Sequence, residues 1–306
     1  MLTPLGAGLD YIDLQFLGAR EVIATALVAG RSGVALIDPG PSTTLPALES
    51  GLAARGLGPR DIRAILLTHI HLDHAGATGT LLSMCPDAVV HVHAVGALHL
   101  ANPAKLLASA SRLYGADMER LWGEVRAVPA DRIRVTGDEP LEIAGHRFAV
   151  TPTPGHASHH LSYFHEPTGV AFVGDTAGIC RGSGRVVLPP TPPPDIDLEA
   201  WKQSTARILA WHPEVLFLTH FGPHRSPAGH FSDLWTRLED WSRRVKASLK
   251  QPGTDAERAA RFTDDVMDEL ARATSRAEAQ AYAYAGGFDF SWAGLARYWR
   301  GRSAIS

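Results

Sequence analysis

Apolar positions in the first part of the chain fall in short aliphatic and β-branched runs, each bounded by Gly, Pro or Asp. Residues 22–28, 34–37, 64–67 and 88–92 follow this pattern, which predicts four strands. Leu45, Leu48 and Leu52 sit at helical spacing, so a helix over 45–57 is expected to join two of them. After Pro103 the period changes. Leu106, Ala110 and Leu113, then Leu121, Trp122 and Val125, recur every three or four residues, predicting two helices broken at Gly115. Strand-like runs return at 148–151, 161–164, 170–173 and 215–218, and the stretch 188–194 is too rich in proline for any regular element.

From Phe231 onward no strand pattern remains. Phe231, Leu234, Trp235, Leu238, Trp241, Val245 and Leu249 form one apolar stripe along a long helix that Pro252-Gly253 ends. Thr254 and Glu257 have the spacing of a capping box for the next helix, where Phe262, Val266 and Leu270 recur every fourth residue. The remainder, 281–299, is rich in aromatic residues. The pattern predicts a mixed α/β domain over 1–230, with a helical insertion at about 97–125 and a helical appendage over 231–306.

Composition narrows the partners more than the fold. The 306 residues carry 29 Lys+Arg against 32 Asp+Glu, a net charge of −3. No basic excess points to nucleic acid or an anionic membrane, so a small molecule is the expected partner. The N-terminus lacks the charged flank and apolar core of a signal peptide, and no run approaches the ~20 apolar residues of a membrane helix. Two cysteines, Cys85 and Cys180, cannot make a disulfide framework; reduced thiols and a cytoplasmic location are expected.

Fifteen histidines stand out, because several crowd into short segments. In Thr68-His69-Ile70-His71-Leu72-Asp73-His74-Ala75-Gly76, directly after a predicted strand, His69 and His71 are two apart. Extended chain turns them the same way, onto one metal ion. Asp73 and His74 lie where the chain turns into a helix, and project toward a second ion nearby. Imidazole with carboxylate suits Zn²⁺, with Fe and Mn as competitors. Gly155-His156, Gly174-Asp175 and Leu218-Thr219-His220 place three more ligand types at strand C-termini, the usual edge for functional residues in α/β folds.

These motifs resemble the metallo-β-lactamase-fold hydrolase superfamily, in its glyoxalase II and lactonase-like branch, over about residues 20–225. The resemblance implies a four-layer αββα sandwich with two divalent metal ions in a cleft at its edge. It assigns His69, His71 and His156 to one ion, Asp73, His74 and His220 to the other, and Asp175 as the bridge. Asp38, in Leu36-Ile37-Asp38-Pro39-Gly40, resembles a family position that supports the metal loops; the other reading is a turn-forming Asp before Pro-Gly. His159 and His160 either line the pocket or are structural. His91, His93 and His99 carry no ligand pattern and are read as structural. Cys180 is read as a small buried thiol near Asp175.

Such a centre implies a hydrolase in which a metal-bridging hydroxide attacks an ester-type bond, and Asp73 is a ligand that also moves a proton to the leaving group. Family substrates include thioesters, lactones, β-lactams, phosphoesters and RNA. True β-lactamases often carry Cys or Ser where Asp175 stands, and no basic stripe favours RNA. Thioesters, lactones and carboxylic esters therefore lead, with phosphoesters behind. The glutathione-binding residues of glyoxalase II are not matched here. The alternative is an oxidoreductase resembling the persulfide dioxygenases, with a single iron. Tyr114, Trp122, Phe221, Tyr282, Tyr284 and Phe288 are the expected lining of an apolar pocket closed by the insertion and the tail, and the tail also offers a homodimer surface.

Overall fold

The computed structural model describes residues 2–6, 8–182 and 186–303. Among these, thirteen strands form two sheets. The first holds β1 (Leu2–Gly6), β2 (Leu9–Asp13), β3 (Ala24–Gly30), β4 (Gly33–Ile37), β5 (Ile62–Leu66), β6 (Val89–Val92) and β7 (Ile133–Val135), side by side in chain order. The second holds β8 (Leu141–Ile143), β9 (His146–Pro152), β10 (Leu161–His165), β11 (Val170–Phe172), β12 (Val215–Leu218) and β13 (Gly222–Arg225), again in chain order.

The two-residue period of each strand explains the layering. In β4, Ala35 and Ile37 face the second sheet, while Val34 and Leu36 face a helical layer. In β11, Val170 and Phe172 face the first sheet, and Ala171 turns to helices on the outside. The helix α1 (Leu45–Ala54) covers the first sheet through Leu48 and Leu52, with α2 (Leu72–Ala75) and α3 (Thr78–Met84) beside it. The expected four-layer αββα sandwich is the observed one. The insertion forms α4 (Ala94–Ala101), α5 (Ala104–Tyr114) and α6 (Met118–Trp122), with the predicted break at Gly115, whose φ is +52°. On the second sheet lie α7 (Leu198–Leu209) and α8 (Pro227–Ser248), followed by α9 (Asp255–Ala273), α10 (Arg276–Gly286) and α11 (Phe288–Ser303). The capping box forms as read: the Thr254 hydroxyl accepts from Glu257 N–H at 3.3 Å, and Glu257 Oε2 accepts from Thr254 N–H at 2.7 Å.

Five strands were not legible in the apolar pattern. Four of them, β1, β7, β8 and β13, are the edges of the two sheets, where short, polar or proline-bearing segments suffice because one side pairs with nothing. The fifth, β2, is interior but carries two acids. Asp10 pairs with Arg55 at 3.1 Å, and Asp13 accepts from the backbone N–H groups of Gln15 and Glu21. The C-terminal helices share one core with α7 and the loops beneath the site: Trp201 of α7 and the loop residues Ile179 and Leu188 pack with Trp241, Phe262, Tyr282, Trp292 and Leu295.

Candidate metal centre

β5 delivers the chain to Thr68, and the extended link Thr68–His71 then feeds α2. His69 and His71 leave the link toward the same point, and α2 carries Asp73 and His74. The turn after β11 supplies Asp175, the loop after β9 supplies His156, and the residue after Thr219 supplies His220. All seven expected residues come together. Ligand atoms of His69, His71 and His156 lie within 4.8 Å of one another, as do those of Asp73, His74 and His220. Asp175 spans the two groups. Its Oδ2 is 3.4 Å from His156 Nε2, and its Oδ1 is 3.2 Å from His74 Nε2 and 3.6 Å from His220 Nε2.

The outer nitrogens fix which atom faces inward. His156 Nδ1 donates to Pro190 O at 2.9 Å, His220 Nδ1 to Val22 O at 2.7 Å, and His74 Nδ1 to Asp38 Oδ2 at 2.8 Å. Each oxygen partner can only accept, so each neutral ring presents a bare Nε2 to the centre. There nitrogen and oxygen ligand atoms crowd together. His69 Nε2 and His156 Nε2 both lie 3.0 Å from His71 Nδ1. His74 Nε2 and Asp175 Oδ1 are buried and, although 3.2 Å apart, make no aligned hydrogen bond to each other or to another described residue. The ion pairs found for Asp38, Asp73 and Asp175 among the described residues are all to histidines. Buried carboxylates and lone pairs converging in this way fit divalent cations.

Asp38 holds the platform together. Fully buried, it accepts from Thr68 N–H (2.8 Å), the Thr68 hydroxyl (2.7 Å), His74 Nδ1 (2.8 Å) and the Thr219 hydroxyl (2.8 Å). Asp38 therefore supports these loops and does more than turn the chain before Pro39-Gly40. The two threonines were missed, yet a signal existed: Leu67-Thr68-His69 and Leu218-Thr219-His220 are the same tripeptide at the ends of strands in different sheets. Gly174 is required for space, since a Cβ there would lie 2.5 Å from Thr68 Oγ1 and 2.7 Å from His160 Nε2.

His160 lies behind the centre, bonded to the Thr153 hydroxyl at 2.9 Å and accepting from Asp175 N–H at 3.3 Å. His159 lines the cavity above it. His91 meets Thr136 and His93 caps α4, as structural residues do, but His99 also lines the cavity. That cavity, about 550 Å³, has His71, Asp73, His156, Asp175 and His220 on its floor. Its walls come from α5, α6, the proline-rich loop and the α10–α11 junction. Phe16, Trp122, Tyr114 and Phe290 form a continuous aromatic chain across them, with ring centroids 5.7, 5.0 and 5.3 Å apart. Of the expected lining, Tyr114, Trp122 and Tyr284 take part. Phe221 instead packs on Tyr11, Phe288 packs on Trp241, and the Tyr282 hydroxyl is tied to the backbone of Arg181 and Val186. The sequence reading also missed Phe16 and Phe290; neither belongs to a motif.

Burial and charge set the titration of the metal-free centre. Burial lowers His69, His156 and His160, takes His71 to about 4 and His159 to about 3, and lowers His91, His165 and His230 to about 4. For His74 and His220 burial acts in the same direction, but the Asp175 carboxylate and its neighbours outweigh it and both are raised. Burial likewise opposes ionisation of Asp73 and Asp175, yet the adjacent histidines hold both below the usual carboxylate range. A lowered histidine gives stability that is present above 6.5 and lost as pH falls toward its folded value; a raised one does the reverse. The lowered group is the larger. Metal-free protein is therefore expected to melt several degrees lower at pH 5 than at pH 7 by scanning calorimetry. A Tm that rose on acidification would contradict the neutral state of these rings.

Comparison with known proteins finds relatives in both sequence and structure. The family model described as the metallo-β-lactamase superfamily matches residues 19–220. The metallo-β-lactamase fold-containing protein ST1585 of Sulfurisphaera tokodaii is 33% identical over 163 residues, covering 52% of this chain and 60% of that protein. A hydroxyacylglutathione hydrolase of a Synechococcus species is 30% identical over 152 residues, covering 50% of this chain and 46% of the enzyme. The chain thus spans about half the length of the curated relatives it matches. Among solved structures, the metallo-β-lactamase family protein TTHA1429 of Thermus thermophilus superposes with a TM-score of 0.68 at 25% identity, over 92% of this chain and 89% of that one. ST1585 superposes with a TM-score of 0.62 at 27% identity, over 76% and 86%. No helix among the described residues is long and apolar enough to cross a membrane.

Proposed function

We propose, for a chain that belongs to the metallo-β-lactamase superfamily, that it hydrolyses an ester-type bond, a thioester, lactone or carboxylic ester, whose acid portion is apolar. One observation carries the reading: five of the seven ligand-type side chains, His71, Asp73, His156, Asp175 and His220, form the floor of a cavity whose walls are largely aliphatic and aromatic. His69, His71 and His156 would hold one divalent ion, Asp73, His74 and His220 the other, and Asp175 both. Zinc is the first choice, with iron or manganese next. When bound, such a pair polarises the scissile carbonyl and makes water acidic enough to attack near neutral pH.

The chain's own groups do the rest. Asp73 faces the cavity, with its Oδ2 3.2 Å from His220 Nε2, and carries the proton to the departing oxygen or sulfur. Tyr114 lies in the same wall; burial, with the charge of Asp73, keeps its phenol protonated and therefore a donor to the substrate. The aromatic chain from Phe16 to Phe290 holds the acyl group and excludes water. Support also comes from the relatives named hydroxyacylglutathione hydrolase, since an acyl group on glutathione is a thioester.

An acyl-length series tests the reading. With metal-replete protein, kcat/KM is expected to rise from acetyl to octanoyl thioesters. Phe290→Ala is expected to lower the octanoyl value about tenfold while leaving the acetyl value within about twofold, since one large wall contact is worth roughly 1–3 kcal/mol. Equal losses on both substrates, or no preference for length in the parent protein, would rule out an apolar acyl pocket.

A further inference from the structure

Behind the principal centre, three more ligand-type side chains meet. Cys180 follows the Asp175 turn, His224 lies on β13, and His230 is in the first turn of α8. Their ligand atoms lie within 4.8 Å of one another. Cys180 and His230 are buried and His224 is half-buried. His230 Nε2 donates to Ala177 O at 2.7 Å, and His224 Nε2 donates to Phe221 O at 3.1 Å. A carbonyl only accepts, so in each neutral ring the proton sits on Nε2 and Nδ1 carries the lone pair. This is the arrangement in which metal-binding histidines are held.

We propose that Cys180, His224 and His230 form a third metal site, which takes a Zn²⁺ ion separate from the pair at the principal centre. The set is one thiolate and two imidazoles with no carboxylate, which suits zinc and excludes magnesium, calcium and manganese. Binding releases the Cys180 thiol proton, and water would complete the tetrahedral set. The ion joins three separate pieces of chain, and each is bonded to the principal centre's own supports. Cys180 N–H donates to His220 O at 2.7 Å, His230 holds Ala177 two residues after Asp175, and His224 holds Phe221 next to His220. Its role is structural: it pins the Asp175 turn to the His220 turn.

Sulfur makes the site separately observable, because none of the seven residues at the principal centre contains it. Protein exchanged into Co²⁺ is expected to show a near-ultraviolet thiolate-to-cobalt charge-transfer band. The band should persist in Cys85→Ser, since Cys85 lies in the core beneath the first sheet, and vanish in Cys180→Ser. As-purified Cys180→Ser and His224→Ala should each hold one zinc equivalent per chain fewer than the parent. His224 is the least buried of the three, so its variant reports on the site where Cys180→Ser fails to fold. A cobalt-loaded parent without the band, a band that survives Cys180→Ser, or unchanged zinc content in both variants would overturn the proposal. These readouts do not depend on hydrolysis, so the third site and the proposed activity stand or fall separately.

Discussion

Asp175→Ala protein is expected to turn over its best ester on the order of 10³-fold more slowly than the parent, a loss of about 4 kcal/mol in transition-state stabilisation. Asp175 is the residue that faces both ligand groups, one carboxylate oxygen toward His156 and the other toward His74 and His220. Replacing it removes the shared anion and leaves the two ligand groups, His69–His71–His156 and Asp73–His74–His220, with no common oxygen. Metal content at the principal centre should fall with the rate. Asp73→Asn separates the two roles of a carboxylate at this centre. It is expected to keep its metals better than Asp175→Ala while still losing turnover, because an amide cannot move the leaving-group proton. Steady-state kinetics beside metal analysis on the same samples decides. An Asp175→Ala protein with full metal and full rate would remove the bridging role.

Asp38→Ala should be the most destabilising single change near the site, costing about 3–5 kcal/mol. Four donors, from Thr68, His74 and Thr219, would lose their acceptor in a fully buried position. Backbone strain adds to this, since Asp38 has φ +53°, a left-handed conformation that Asp and Asn tolerate and Ala does not. Asp38→Asn keeps the shape and the backbone preference but not the charge on which His74 depends. It is expected to fold and to bind metal about 10–100-fold more weakly. Denaturant midpoints measure the first effect, and chelator competition the second. An Asp38→Ala protein with an unchanged midpoint would mean that the four bonds do not hold the platform.

How much of this was legible in the sequence follows from where each kind of information resides. The metal-type residues cluster in short local motifs at strand ends, so His69, His71, Asp73 and His74 announce themselves by spacing, and His156, Asp175 and His220 by their place after apolar runs. Interior strands other than the acid-bearing β2 were readable because both faces demand apolar residues, as in β4 and β11. Edge strands were not, because only one side is paired. The cavity walls were half-read. Tyr114, Trp122 and Tyr284 are there, but Phe16 and Phe290 come from positions 274 residues apart that only the tertiary fold brings onto the same aromatic chain. The Cys180–His224–His230 group had no local spacing to betray it. Its members come from a turn, an edge strand and a helix, and the edge strand itself was unpredicted.

The most direct test of the central claim is anomalous diffraction from crystals of protein purified without chelators or added metal. Two peaks are predicted among the seven residues, one beside His69, His71 and His156 and one beside Asp73, His74 and His220, with Asp175 between them. A single iron peak confined to the three histidines would contradict a binuclear hydrolase and move an oxidoreductase to the front.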